Sequence, residues 1–155
     1  MHKIEFMRKL VIFDLDGTLL YTLEDLTNSV NFTLDLFDYE TCTIDEISSY
    51  VGNGVKQLMR RALPSDISEK DFELCYACFM DHYSKHCCEK TVPYPGIVDV
   101  LKVLKSRGIK IGVMSNKFQS AAEDVCEHYF EGLYDMVVGE SEYCRRKPAP
   151  DGINM

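Results

Sequence analysis

Residues 10–18 read Leu-Val-Ile-Phe-Asp-Leu-Asp-Gly-Thr, and this stretch decides the fold of the chain. Its four leading apolar residues indicate a strand that is buried on both faces of a parallel sheet. Side chains two residues apart in a strand point the same way, so Asp14 and Asp16 place two carboxylates on one side of its carboxyl end. Gly17 then lets the backbone turn away. Because α/β folds bind ligands at that end of the sheet, we predict a functional site there.

The rest of the chain divides into two kinds of pattern. Residues 1–20 and 95–155 alternate strands and helices, with further strands predicted at 109–115 and 134–139. This alternation predicts an α/β core with a Rossmann-like parallel sheet and right-handed connections. Residues 21–94 show only helical patterns, and we interpret them as an inserted helical cap. Because the insert follows the first strand directly, we expect it to lie over the carboxyl end of the sheet.

The predicted cap contains clear helix boundaries. Thr22 is placed to cap a helix over 23–37, and Thr43 with Glu46 forms a capping box for a short helix. Ser68 is placed to cap a longer helix. Pro93-Tyr94-Pro95-Gly96 cannot continue that helix, so we interpret it as a linker back to the core.

The composition restricts the classes of partner. The chain has 155 residues, 46% of them hydrophobic and 27% charged, as in an ordinary globular protein. The formal net charge of −8 disfavours nucleic acid and anionic membranes as partners, because both require a basic surface. An anionic substrate would need local positive charge from lysines, backbone N–H groups or a metal.

The cysteines and the N-terminus indicate the compartment. Seven cysteines are an odd number with no disulfide-like spacing. Residues 1–8 lack the apolar segment of a signal peptide, and charges interrupt every apolar run. We therefore expect reduced thiols and a cytoplasmic location.

The Asp14-Leu15-Asp16-Gly17-Thr18 motif resembles the nucleophile motif of the haloacid dehalogenase superfamily. The resemblance implies that Asp14 attacks phosphorus to form an aspartyl-phosphate. It implies that Asp16 protonates the leaving oxygen and then deprotonates the water that resolves the intermediate. The simpler alternative is a turn whose acidic residues are merely solvated.

Two further motifs of the superfamily have matches in this chain. Ser115, with Asn116, stands where the second motif has a phosphate-binding Ser or Thr at a strand end; alternatively, these residues cap the next helix. Lys147 matches the third-motif lysine, which neutralises the phosphate and the nucleophile. The alternative is a solvated basic run, which describes Arg145 and Arg146 better. We also assign Gly17 and Thr18 to substrate binding.

A magnesium site is implied by the resemblance but is incomplete. The family binds Mg²⁺ through first-motif oxygens, here the Asp14 side chain and the Asp16 backbone carbonyl, and completes its site with one or two aspartates of a fourth motif. The sequence ends at Met155, before such a motif, and Glu140 comes too early in the chain to replace it. We therefore expect a truncated chain with little activity of its own.

Within the superfamily, residues 50–63 look like those of phosphoglycolate phosphatases. Gly52 and Gly54 would let backbone N–H groups approach an anionic substrate, although an ordinary turn between helices would also explain them. Asp16 favours phosphoester hydrolysis over dehalogenation, because a halide leaves without a proton. A phosphomutase or a pyrophosphatase is also compatible with the motifs. A different class of function is a truncated or binding-only protein without catalysis.

Two further expectations concern assembly and zinc. If the later strands are missing, the first strand becomes an edge strand with apolar side chains on both faces, and we expect a homodimer through it, an exchange of elements between copies, or aggregation. The cysteines and histidines near residues 75–88 could suggest zinc, but no second pair of cysteines completes a tetrahedral site.

Overall fold

The computed structural model describes residues 9–154 as five strands, six α-helices and a short 3₁₀ helix, Asp151–Ile153. Residues 1–8 and Met155 lie outside the described residues. The predictions that concern them, the lack of a signal peptide and the missing fourth motif, are therefore not tested by the structure. The elements in chain order are β1 (Leu10–Phe13), β2 (Leu20–Tyr21), α1 (Leu23–Leu36), α2 (Ile44–Tyr50), α3 (Val55–Ala62), α4 (Glu69–His86), β3 (Val92–Pro93), α5 (Ile97–Ser106), β4 (Lys110–Phe118), α6 (Gln119–Phe130) and β5 (Met136–Glu140).

A three-stranded parallel sheet with the order β1-β4-β5 confirms the predicted α/β fold. Leu10 pairs with Lys110 and Phe13 with Val113, so β1 and β4 end near each other. One face of the sheet packs against α5 and α6 in a hydrophobic core whose fully or almost fully buried members include Leu101, Ile111, Val113, Val125 and Phe130. On β1, Leu10 and Ile12 are 49% and 44% exposed, so this edge strand presents apolar surface.

Helices α1 to α4 enclose a second hydrophobic core. Its most buried members are Val30, Leu34, Ile47, Met59, Phe72, Cys75 and Phe79, all at 0% exposure. The predicted capping box is confirmed, because the Glu46 backbone N–H donates to Thr43 and the Glu46 side chain accepts from the Thr43 backbone. Ser68 caps α4 as predicted, by accepting from the Asp71 backbone N–H. Thr22 occupies the N-cap position of α1, but its side chain makes no capping hydrogen bond.

The two connections between the helical segment and the sheet pair with each other. Leu20 of β2 pairs with Pro93 of β3, and Tyr21 pairs with Val92, in an antiparallel ribbon. The segment predicted only as a linker is therefore partly a strand. The buried Asp25 carboxylate stabilises the start of this ribbon, since it accepts hydrogen bonds from the backbone N–H groups of Lys90 and Thr91 at 2.8 to 3.0 Å.

Strand β4 is longer than the sequence predicted, and this changes the place of Ser115. The prediction ended the strand at 115, whereas β4 continues to Phe118 with a register shift after Met114. Ser115 and Asn116 therefore do not cap α6, whose N-cap residue is Phe118. Gly139 permits this arrangement, because a Cβ there would lie 2.7 Å from the Lys117 carbonyl oxygen.

Within residues 9–154, no helix combines the length and apolar character that crossing a membrane requires.

Candidate active site

The Asp14 carboxylate lies directly after β1, where the strand opens into the turn that Gly17 begins. Its Oδ1 atom accepts hydrogen bonds from the Leu15 backbone N–H at 2.8 Å and lies 2.7 Å from Lys147 Nζ. The side chain is 46% exposed, so part of the carboxylate faces open space. A half-exposed carboxylate oriented by a lysine can approach a bound electrophile.

The Asp16 carboxylate is more buried and is held by β4. The Ser115 hydroxyl donates to Asp16 Oδ2 at 3.2 Å. Lys117 Nζ lies 3.3 Å from Asp16 Oδ1 as an ionic contact outside hydrogen-bond geometry, so this buried oxygen has no hydrogen-bond partner. The two carboxylates of the first motif therefore have separate cationic neighbours, Lys147 for Asp14 and Lys117 for Asp16.

Asn116 links the third-motif loop to the helical segment. Its Oδ1 accepts from the Lys147 backbone N–H at 2.6 Å, and its Nδ2 donates to the Gly52 carbonyl oxygen at 3.1 Å. Lys147 Nζ also donates to the Met114 carbonyl oxygen at 2.9 Å. The predicted residues Ser115, Asn116 and Lys147 are thus brought to one place by β4.

A small cavity of about 90 Å³ lies between the sheet and the helical segment. The sheet side contributes the polar residues Asp14, Asp16, Ser115, Asn116, Lys117 and Lys147. The helical side contributes apolar residues and glycines, namely Leu26, Val51, Gly52, Gly54, Val55 and Leu58. The cavity therefore has one charged wall and one apolar wall.

Gly17 and Thr18 lie in the turn after β1 and are not among the residues that line the cavity. Gly17 has φ = 76°, a left-handed conformation that glycine adopts at no steric cost. The Thr18 backbone N–H donates to the Leu15 carbonyl oxygen at 3.2 Å. In this structure the two residues shape the turn that presents Asp14 and Asp16.

Arg146 contacts the helical segment, which the sequence did not predict. Its Nη1 donates to the Asn53 carbonyl oxygen at 2.8 Å. A Cβ at Gly54 would lie 2.9 Å from that same Nη1 atom, so glycine there makes room for the arginine. Arg145 instead pairs with Asp151 at 2.8 Å and is 76% exposed.

Lys117 is a second residue that sequence reasoning missed. It is buried, and it donates a hydrogen bond to the Tyr83 hydroxyl at 2.7 Å. Burial alone would lower the pKa of the Lys117 ammonium, but the Asp16 carboxylate and Tyr83 outweigh it and raise that pKa. The one signal for Lys117 in the sequence is its position directly after Ser115-Asn116, where the strand approaches the first motif.

The first-motif carboxylates fit Mg²⁺ in their donor chemistry. Mg²⁺ is commonly held by one or two carboxylates, substrate phosphate and several waters. The half-exposed Asp14 carboxylate offers such oxygens beside the cavity, whereas the buried Asp16 Oδ1 already lies 3.3 Å from the Lys117 ammonium. Among residues 9–154, no group of three or more His, Cys, Asp and Glu is placed to hold a metal ion.

Comparison with protein families gives one clear match. A family model described as haloacid dehalogenase-like hydrolase matches residues 11–155. A phosphoglycolate phosphatase of Aquifex aeolicus is 32% identical over 146 residues, which cover 94% of this chain and 67% of that protein. Phosphoglycolate phosphatase 1 of Pseudomonas aeruginosa is 34% identical over 152 residues, which cover 94% of this chain and 55% of that protein.

Solved structures show the same fold. A crystal structure described as a predicted phosphoglycolate phosphatase from Haemophilus somnus superposes with a TM-score of 0.88 at 26% identity, covering 94% of this chain and 68% of that one. The chain spans 55% to 67% of the length of the two curated relatives named above.

Proposed function

The chain belongs to the haloacid dehalogenase-like hydrolases, and from this membership we propose that it hydrolyses small phosphomonoesters through an aspartyl-phosphate on Asp14. The observation that carries the proposal is the pairing of Asp14 with Lys147 at 2.7 Å beside a cavity that Asp16 and Ser115 also line. A nucleophile, an acid/base group and two phosphate-binding groups thus share one pocket.

The first step transfers the phosphoryl group to the protein. An Asp14 carboxylate oxygen forms a bond to phosphorus while the bond from phosphorus to the ester oxygen breaks. Asp16, protonated for this step, gives its proton to the leaving oxygen. The Lys147 ammonium lies beside Asp14, where it would bind an oxygen of the transferring group. The Ser115 hydroxyl donates to Asp16 Oδ2 in this structure and would bind a phosphoryl oxygen by turning its proton from Asp16 towards the substrate.

The second step returns Asp14 to its free form. The Asp16 carboxylate takes a proton from water, the water oxygen bonds to phosphorus, and the bond from phosphorus to Asp14 breaks. Inorganic phosphate leaves, and Asp16 keeps the proton for the next cycle. The apolar wall formed by Val51, Val55 and Leu58 lies on the helical side of the cavity, where it would limit the access of other water.

Asp14 and Asp16 would hold the magnesium ion in this proposal. When bound, Mg²⁺ supplies positive charge that stabilises the phosphoryl oxygens in the transition state. The helical segment, residues 21–94, acts as the cap, since Asn116 and Arg146 bind the Gly52 and Asn53 carbonyl oxygens across the cavity.

A small substrate is supported by the cavity and by the relatives. A cavity of about 90 Å³ suits a small phosphoester. The names of both curated relatives point to 2-phosphoglycolate as the first substrate to test. Seven free cysteine thiols support a reducing, cytoplasmic compartment for the reaction.

The proposal is tested by phosphate release from the purified chain, assayed at protein concentrations that detect the low turnover expected of a site without the fourth-motif aspartates. We expect Mg²⁺-dependent release from 2-phosphoglycolate, lost on chelation with EDTA and restored by added Mg²⁺. Pyrophosphate and a sugar phosphate tested in parallel separate a pyrophosphatase or a phosphomutase, which would consume those instead. Tight binding of 2-phosphoglycolate without phosphate release would favour the binding-only alternative.

We also propose that the chain self-associates through β1. Within the described residues this strand is the edge of the sheet, with Leu10 and Ile12 nearly half exposed. Such an edge offers backbone groups and apolar side chains to a second copy. Light scattering at tens of micromolar is expected to show a dimer or larger species, and Ile12→Lys is expected to shift it to monomer. A wild-type monomer at that concentration would contradict this proposal.

A further inference from the structure

A buried lysine contacts the Asp16 carboxylate from inside the protein. The Lys117 side chain is only 4% exposed, and its Nζ lies 3.3 Å from Asp16 Oδ1. The same Nζ donates to the Tyr83 hydroxyl at 2.7 Å. Burying an ammonium without a partner costs free energy, and the contacts with these two oxygens offset that cost. The reaction steps described above give this group no part.

Strand β4 holds both oxygens of Asp16. Ser115 donates to Oδ2 at 3.2 Å, while Lys117 lies against Oδ1. The Lys117 backbone N–H donates to the Ser115 hydroxyl at 3.1 Å and so orients the group that binds Oδ2. A carboxylate contacted at both oxygens has little freedom to rotate, so the orientation of Asp16 depends on the position of the Lys117 ammonium.

Tyr83 fixes the position of the Lys117 ammonium from the helical segment. It lies near the end of α4, is 4% exposed, and stacks on Phe79 with ring centroids 5.4 Å apart. Burial raises the pKa of the Tyr83 phenol to about 12, so the group stays neutral and accepts the hydrogen bond from Lys117. The helical segment thereby contributes to the arrangement of Asp16.

We propose that Lys117 is a positioning residue, which, held by Tyr83, fixes Asp16 in the orientation that delivers a proton to the leaving oxygen. The inference rests on the phosphatase function proposed above and extends it. General acid catalysis requires the donor within hydrogen-bond reach of the leaving oxygen. Displacement by about 1 Å can cost about 100-fold in rate, so loss of one contact to Asp16 has a measurable effect.

The first test compares two leaving groups. The nitrophenolate of p-nitrophenyl phosphate leaves without a proton, whereas the alkoxide of 2-phosphoglycolate needs one. For Lys117→Met, we expect kcat/KM for 2-phosphoglycolate to fall at least about tenfold more than for p-nitrophenyl phosphate. Lys85→Met, which removes an exposed lysine paired with Asp81 on α4, serves as the matched control and leaves the ratio unchanged.

A milder variant covers the case in which Lys117→Met does not fold. Tyr83→Phe keeps the ring stacked on Phe79 and removes only the hydroxyl that accepts from Lys117. We expect a smaller change in the ratio of the two kcat/KM values, in the same direction. Equal losses on both esters in every folded variant would show a merely structural role and overturn the inference.

The second test does not use activity. Unfolding by denaturant is measured for Lys117→Met, Asp16→Asn and the double variant, because a double-mutant cycle isolates the pair. We expect the double variant to lose less stability than the sum of the single losses, since Asp16→Asn alone leaves a buried ammonium without its carboxylate. Additive losses would overturn the inference. If the chain hydrolyses neither ester, the proposed function is refuted. The double-mutant cycle alone then tests the pairing of Lys117 with Asp16.

Discussion

Asp14→Asn is expected to abolish phosphate release from 2-phosphoglycolate. The amide has nearly the shape of the carboxylate but is a poor nucleophile, so the bond from Asp14 to phosphorus does not form. Loss of a nucleophile typically lowers kcat by roughly 10⁴-fold or more. The measurement is initial phosphate release at saturating substrate and Mg²⁺, with mass spectrometry of quenched protein to detect the phosphoryl group on the wild type.

The control for this variant is Asp99→Asn, which removes an exposed carboxylate from the first turn of α5. We expect wild-type turnover from it. Lys147 keeps its hydrogen bond to the Met114 carbonyl oxygen in Asp14→Asn, so the site should stay formed. Turnover of Asp14→Asn within tenfold of the wild type would refute the aspartyl-phosphate mechanism.

Lys147→Met is expected to lower kcat by about 10²- to 10³-fold, the usual effect of removing one group that stabilises transition-state charge. Methionine keeps the unbranched shape of the side chain but loses the ammonium 2.7 Å from Asp14 Oδ1. The attacking carboxylate and the phosphoryl oxygens would then lack their nearest cation. Steady-state kinetics with 2-phosphoglycolate measure the effect.

Lys110→Met is the matched control for the loss of a lysine. Lys110 starts β4, pairs with Asp135 at 2.8 Å and is 69% exposed, so its removal should change turnover little. Similar kcat values for the wild type and Lys147→Met would show that the lysine only supports the loop, and would contradict its role in catalysis.

The sequence alone determined the fold class and most helix boundaries. The apolar run before Asp14 gave the first parallel strand, and the capping box at Thr43 and Glu46 fixed the start of α2 as observed. These features depend on neighbours within a few positions along the chain, which is why local patterns predict them. The family motifs also singled out Asp14, Asp16, Ser115 and Lys147, and the structure places these side chains around one cavity.

The sequence failed where a contact between distant segments decides the local structure. The segment around Pro93 was predicted as a linker, but pairing with Leu20 makes it a strand. Ser115 was predicted at the end of its strand, but β4 continues to Phe118 because Gly139 leaves space beside the Lys117 carbonyl. Neither partner is near its counterpart in the sequence.

Only the tertiary structure decided how the Asp16 carboxylate is held. Ser115 lies 99 positions from Asp16, and Tyr83 lies 34 positions from Lys117. A lysine in the sequence is most often an exposed charge, and nothing local marks Lys117 as buried. Its environment arises because β4 pairs with β1 while α4 brings Tyr83 against Lys117, so that a carboxylate and a phenol meet one ammonium. The proposed catalytic residues were thus readable from their motif, whereas the environment of Lys117, the residue proposed to position Asp16, depended on the packing of three separate segments.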